Sequence, residues 1–112
     1  MVNQGNIIRL DFDPQAGHEQ KGRRPAIVIS NGSFNRLTRK AAIVCPITMT
    51  DRALPFHVRL DGRTQTTGTV LCDQPRAFDL QARNYEFVEE APCDIIQEVI
   101  DIVSGFLELE DQ

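Results

Sequence analysis

The spacing of apolar residues changes once along the chain, and that change separates a strand-rich body from a helical end. In Asn6-Ile7-Ile8-Arg9-Leu10-Asp11-Phe12 the pattern alternates from Ile8 onward. Ile8, Leu10 and Phe12 fall to one side and Arg9 and Asp11 to the other, the period of a half-buried strand, which Asp13-Pro14 ends. Pro25 to Ser30 and Ala41 to Ile47 are apolar on both faces and read as central strands. Between them, Asn31-Gly32-Ser33 is a turn signal and the polar stretch 34–40 suits one helical turn. Phe56, Val58 and Leu60 alternate with His57 and Arg59 in a fourth strand, which points His57 outward as a surface residue. Two polar loops, 51–54 and 61–68, flank it. Thr69 to Asp73 is a fifth strand, Phe78 to Leu80 a short further piece, and Tyr85 to Val88 a sixth. After Ala91-Pro92 the period lengthens. Ile95, Ile96, Val99, Ile100, Val103, Phe106 and Leu107 recur every three or four residues, predicting an amphipathic helix over 92–107 with a proline in its first turn. Ile102 and Leu109 broaden its apolar stripe enough for part of it to meet a partner. The expected fold is mainly β: a small barrel of five to six, up to seven, mostly antiparallel strands with a C-terminal α-helix packed across it.

Composition narrows this further. With 112 residues, 41% hydrophobic and no Trp, one domain over 1–112 with a single core is expected, and a partner subunit would help stabilise it. No apolar run approaches the roughly 18 residues of a membrane span. The first residues lack the basic-then-apolar layout of a secretory signal, so a cytoplasmic protein is expected. Cys45, Cys72 and Cys93 are odd in number and form no CxxC, which predicts reduced, mostly buried thiols. The net charge of −4 conceals a division. Residues 1–83 carry all 12 Lys and Arg against 7 acids, a net +5, whereas residues 84–112 carry 9 acids and no Lys or Arg. A positive body fits a polyanion site, with the acids kept away from it on the solvated face of the helix.

Three common constellations are missing from the sequence: a P-loop, a Cys/His zinc cluster and a GxSxG elbow. Chemistry without a metal or other cofactor is expected. The candidate loop is Gly17-His18-Glu19-Gln20-Lys21-Gly22-Arg23-Arg24-Pro25, where two glycines let the backbone gather charged groups at one place. Its Arg residues have the rigid fork that suits phosphate oxygens and transition-state charge, although pairing of Arg24 with Glu19 or Asp11 would hold the loop equally well. At the end of the third strand, Thr48 can present its hydroxyl to a phosphate or cap a turn. Asp73-Gln74-Pro75-Arg76 is a third polar strand end, able to hydrogen-bond the base edges of single-stranded RNA.

In order and spacing, Asp11-Phe12-Asp13-Pro14, Gly17-His18-Glu19-Gln20, Gly22-Arg23-Arg24-Pro25-Ala26-Ile27-Val28-Ile29-Ser30, Pro46-Ile47-Thr48 and Asp73-Gln74-Pro75-Arg76 resemble the MazF/PemK family of toxin endoribonucleases, also called mRNA interferases. The resemblance covers about the whole chain. It implies an SH3-like, plasmid-maintenance-toxin barrel, a homodimer, and metal-independent, sequence-specific cleavage of single-stranded RNA such as mRNA, restrained by a cognate antitoxin. Arg24 and Thr48 take the positions of the catalytic pair. Glu19, Gln20, Asn31, Leu54, Pro55, Asp73 and Gln74 take those of groove residues that hold bases or ribose, to which the reading of the loop and strand ends adds His18, Arg23 and Arg76 as RNA-binding. His18 stands where many relatives have Ser and is expected to modulate the pH dependence of cleavage, which the pH–rate profile of His18→Ala tests. A non-catalytic toxin on the same barrel that poisons DNA gyrase is the alternative; the GxRP loop and the threonine are what distinguish the two.

Overall fold

The computed structural model describes residues 2–12, 22–50 and 54–111. Its elements run β1 (Asn6–Asp11), β2 (Arg23–Val28), α1 (Gly32–Thr38), β3 (Ala41–Thr48), β4 (His57–Arg59), β5 (Thr69–Leu71), β6 (Arg76–Asp79), β7 (Glu86–Glu90) and α2 (Cys93–Phe106). All strand pairs are antiparallel. The seven strands form one sheet in the order β4-β5-β3-β2-β1-β7, with β6 also paired to β3. The mainly β fold with its C-terminal helix is as expected. The barrel is not strictly closed, because among the described residues no pairing joins the ends β4 and β7.

Both faces of the central strands are buried. Ile8, Leu10 and Phe12 pack with Ala26, Val28, Ala42, Val44 and Phe78 in one cluster. Ile7 points the other way, toward Ile27, Cys45, Ile47 and Val70, where α2 adds Ile95, Val99 and Val103. From Ile8 onward β1 alternates as expected, with Ile8, Leu10 and Phe12 buried and Arg9 exposed, and only its start is buried on both faces. Ile7 and Ile8 are both fully buried, since β1 lies between β2 and β7 with α2 over one face. The four-residue spacing of Ile95, Val99 and Val103 keeps one stripe of α2 on the sheet, while Leu107 and Leu109 stay exposed.

β3 organises the sheet. One edge pairs with β2; the other takes β6 against Ala41–Val44 and β5 against Ile47–Thr48, end to end. The handover falls at Cys45-Pro46, where proline has no N–H to offer a ladder. α1 is a two-turn helix rather than the single turn expected over 34–40. Asn31 Oδ1 accepts from the Phe34 N–H at 3.0 Å, an N-cap, and the buried Asn35 amide donates to the Ser30 carbonyl at 3.2 Å. Cys45 and Cys72 are free and buried, and Cys93 is exposed. Burial pushes both buried thiols up, that of Cys72 to about 12.

Candidate nucleic-acid interface

The start of β2, the end of β3 and the segment before β5 come together around a cleft of about 520 Å³. Arg9, Pro25 and Ile47 lie along one row of the sheet, because Arg9 pairs with Pro25 and the β2–β3 register, carried one residue past Ala26 and Pro46, brings Pro25 to Ile47. Arg23, Arg24, Met49 and Val88 line the cleft beside this row, and Gln65, Thr66 and Thr67 form its outer wall. Three arginines line it and, among the described residues, no carboxylate does. Such a site attracts a polyanion and offers it guanidinium and hydroxyl donors.

The two adjacent arginines differ in their surroundings. Arg23 lies opposite Asp11, donates to Asp11 Oδ1 at 3.2 Å and to the Asn84 carbonyl at 2.8 Å, and stands 3.3 Å from Glu86. Hydrogen bonds from Asn84 and Arg23 hold the Asp11 carboxyl below the usual aspartate range. The pairing with Asp11 considered for Arg24 thus belongs to Arg23. Arg24, half-buried, lies opposite Leu10 and lines the cleft, whereas Thr48 does not line it.

Thr48 is 5% exposed and sits between two residues that line the cleft, Ile47 and Met49. Its Oγ1 accepts from the Thr50 N–H at 3.2 Å, which caps the turn and leaves the hydroxyl hydrogen available to an acceptor. A Cβ placed on Gly68, whose φ is +125°, would collide with the Thr48 carbonyl; only glycine lets the outer wall approach the strand end this closely.

The other predicted residues divide into three groups. Gly17, His18, Glu19 and Gln20 lie outside the described residues. Asn31 caps α1, and neither it nor Leu54 and Pro55, both exposed, line the cleft. Asp73, Gln74 and Arg76 do not line it either. Because β5 runs antiparallel to β3, its C-terminal end lies toward the middle of β3, away from Thr48. Among the described residues, the start of β2 and the end of β3 meet at this cleft, and Asp73-Gln74-Pro75-Arg76 does not join them there. His57 is not an ordinary surface residue. Its side chain is 4% exposed, with Nε2 3.3 Å from Asp73 Oδ1 and Phe56 edge-on at 4.8 Å. Phe56 in turn meets Phe106 of α2, so an edge strand that alternation reads as open on one side is covered.

Arg9, Met49 and Gln65 to Thr67 were not anticipated. For Arg9 a signal existed, since its exposed position on β1 is in register with the proline of the GxRP stretch. The acids of residues 84–112 are not all remote either. Glu86 braces Arg23, and Glu89 accepts the Gln65 and Thr66 backbone N–H groups at 3.0 and 2.8 Å. Burial alone would raise the Glu89 carboxyl, but these bonds and one from the Thr66 hydroxyl outweigh it and hold the group below the usual glutamate range.

Residues 3–107 match the family model of PemK-like, MazF-like toxins of type II toxin–antitoxin systems. The chain is 41% identical over 110 residues to endoribonuclease PemK of Escherichia coli, covering 95% of this chain and 82% of that protein. The crystal structure of MazF from Deinococcus radiodurans superposes with a TM-score of 0.88 at 39% identity, covering 95% of this chain and 96% of that one. A MazE-MazF structure from the same organism superposes at 0.83 with 38% identity, covering 97% of each chain. On the matched residues, the shared fold and this identity over nearly its whole length, the chain belongs to the PemK-like, MazF-like family of type II toxin–antitoxin toxins.

Proposed function

We propose that this chain is a metal-independent endoribonuclease toxin of the cytoplasm, one catalytic domain over residues 1–112. It acts as a homodimer, cuts single-stranded RNA, mRNA included, in a sequence-specific way, and is restrained by a cognate antitoxin. Relatives at this level of identity carry the name endoribonuclease. The observation that carries the reading is the cleft lined by three arginines, Arg24 among them, and no carboxylate among the described residues, with Thr48 placed in the chain between the lining residues Ile47 and Met49.

The chemistry is transesterification. The ribose 2′-oxygen attacks the adjacent phosphorus as its proton leaves, the bond from phosphorus to the 5′-oxygen breaks, and the 5′-oxygen takes up a proton. The products are a 2′,3′-cyclic phosphate and a 5′-hydroxyl end. Charge accumulates on the non-bridging oxygens in the transition state, and the Arg24 guanidinium stabilises it there more than in the ground state. Thr48, with its oxygen already accepting from Thr50, donates its hydrogen to one of those oxygens. Arg9 and Arg23 hold neighbouring phosphates, which makes binding weaken with added salt.

The test is to incubate the purified protein with a long single-stranded RNA in EDTA and map the 5′ ends of the fragments. Fragments with 5′-hydroxyl ends are expected. Arg24→Ala and Thr48→Ala should each lose about 100-fold or more of the cleavage rate while the dimer stays intact. Failure of the wild-type protein to cut varied RNAs would overturn the reading.

A further inference from the structure

The outer wall of the cleft is an irregular segment with little core beneath it, yet it is held by a specific set of contacts. Both oxygens of Glu89 on β7 are occupied: Oε1 accepts the Gln65 N–H at 3.0 Å, and Oε2 accepts the Thr66 N–H and the Thr66 hydroxyl, each at 2.8 Å. One carboxylate thus grips two successive backbone N–H groups from 23 and 24 residues away, in the charge-assisted manner that gives the stronger and more directional hydrogen bonds. On the cleft side, the Thr67 hydroxyl donates to Met49 Sδ at 3.2 Å, next to Thr48. At the segment's base, Arg63 donates to Asp94 at 2.8 and 2.9 Å. The backbone of residues 65–67 is thereby set against the strand end, while Gln65, an exposed residue, lines the cleft and its carboxamide has no hydrogen-bond partner among the described residues. A carboxamide offers a donor and an acceptor side by side, the pattern that reads the edge of an unstacked base.

We propose that Glu89 is a positioning residue for target selection, holding the Gln65 carboxamide where it reads a base next to the scissile phosphate. The inference rests on the RNA-cleavage reading above. Glu89 touches no RNA; it fixes the wall from behind, and its charge is spent on the backbone rather than turned toward a phosphate.

The experiment maps cut sites on the same long RNA for the wild-type protein, Gln65→Ala, Glu89→Gln and the neighbouring exposed residue as a control, Glu90→Gln. One nucleotide position beside the cut should lose its preference about tenfold in both Gln65→Ala and Glu89→Gln, and the same position in each, because a good paired contact to a base edge discriminates by about that factor. Glu90→Gln should keep the wild-type pattern. In Glu89→Gln, the amide resonances of Gln65 and Thr66 should shift in a ¹H–¹⁵N spectrum whose remaining signals stay native. If Glu89→Gln does not fold, the exposed Gln65→Ala decides. A wild-type protein that cuts selectively, with the preference unchanged in Gln65→Ala or changed at a different position by Glu89→Gln, overturns the proposal. A wild-type protein that cuts no RNA overturns the cleavage reading as well, a distinguishable result.

Discussion

The two walls of the cleft are built by different means. The strand wall, which includes Pro25 and Ile47, continues from the ladder pair of Ala26 and Pro46 over a fully buried core containing Ile27, Cys45 and Val70. The opposite wall, Gln65 to Thr67, is carried by one carboxylate, one hydroxyl on a sulfur and an exposed arginine. Apolar burial involves no titrating or screened charge and is shared over many atoms, whereas the loop depends on a few charged or polar contacts that water competes for. A nuclease gains from this division: reacting groups need fixed geometry, while the surface that chooses the target can change without unmaking the fold.

Three measurements would break or sharpen the contrast. Truncating the strand wall at Ile47→Ala, a residue 1% exposed in the core, should reduce stability by about 2–5 kcal/mol, read by denaturant unfolding. A loss below 1 kcal/mol would place the support of that wall elsewhere. At the seam between the walls, Gly68→Ala demands a left-handed backbone and a displaced Thr48 carbonyl, so a loss of roughly 1–3 kcal/mol accompanied by slower cleavage is expected from thermal unfolding and RNA assays. The smallest effect is that of acid on the loop wall. Glu89 has a folded pKa below the unfolded value of about 4.3, so its contribution is complete above that value and is lost as pH falls through the folded one. The Gln65 and Thr66 amide signals should therefore hold steady from about pH 8 to 5 and move only in stronger acid, before the core signals do. Simultaneous movement of both would erase the distinction between the walls.

The parts of the fold legible in the sequence were those decided by local runs. β2 and β3 are dense in β-branched and small apolar residues, and α2 changes the period to that of a helix, so each declares itself within ten or fifteen residues. β6 was only glimpsed, because Arg76-Ala77-Phe78-Asp79 buries just one side chain, Phe78, and its strand character comes from lying on the free edge of β3. His57 departs from the expected exposure for a related reason: alternation gives a side, but only the path of α2 and the return of Asp73 determine whether that side is covered. At the site, Arg23 and Arg24 are equivalent as letters; register sets one opposite Asp11, where Glu86 also meets it, and the other opposite Leu10. Glu89 was invisible, since nothing in Phe87-Val88-Glu89-Glu90 points to a loop two dozen residues upstream.

The pairing of β1 with β7 has a consequence for the order of events in the chain's life. Asn6 meets Glu90, so β1 finds one of its two neighbours only after the five strands between them have been made. Closing so long a loop places folding in the slower, millisecond-to-second range of topologies dominated by distant contacts. Glu86 and Glu89, which brace Arg23 and the outer wall, arrive on that same late strand. The brace on Arg23 and the grip on the outer wall therefore form only after the strands of the opposite wall have been made, as late steps in the assembly of the cleft.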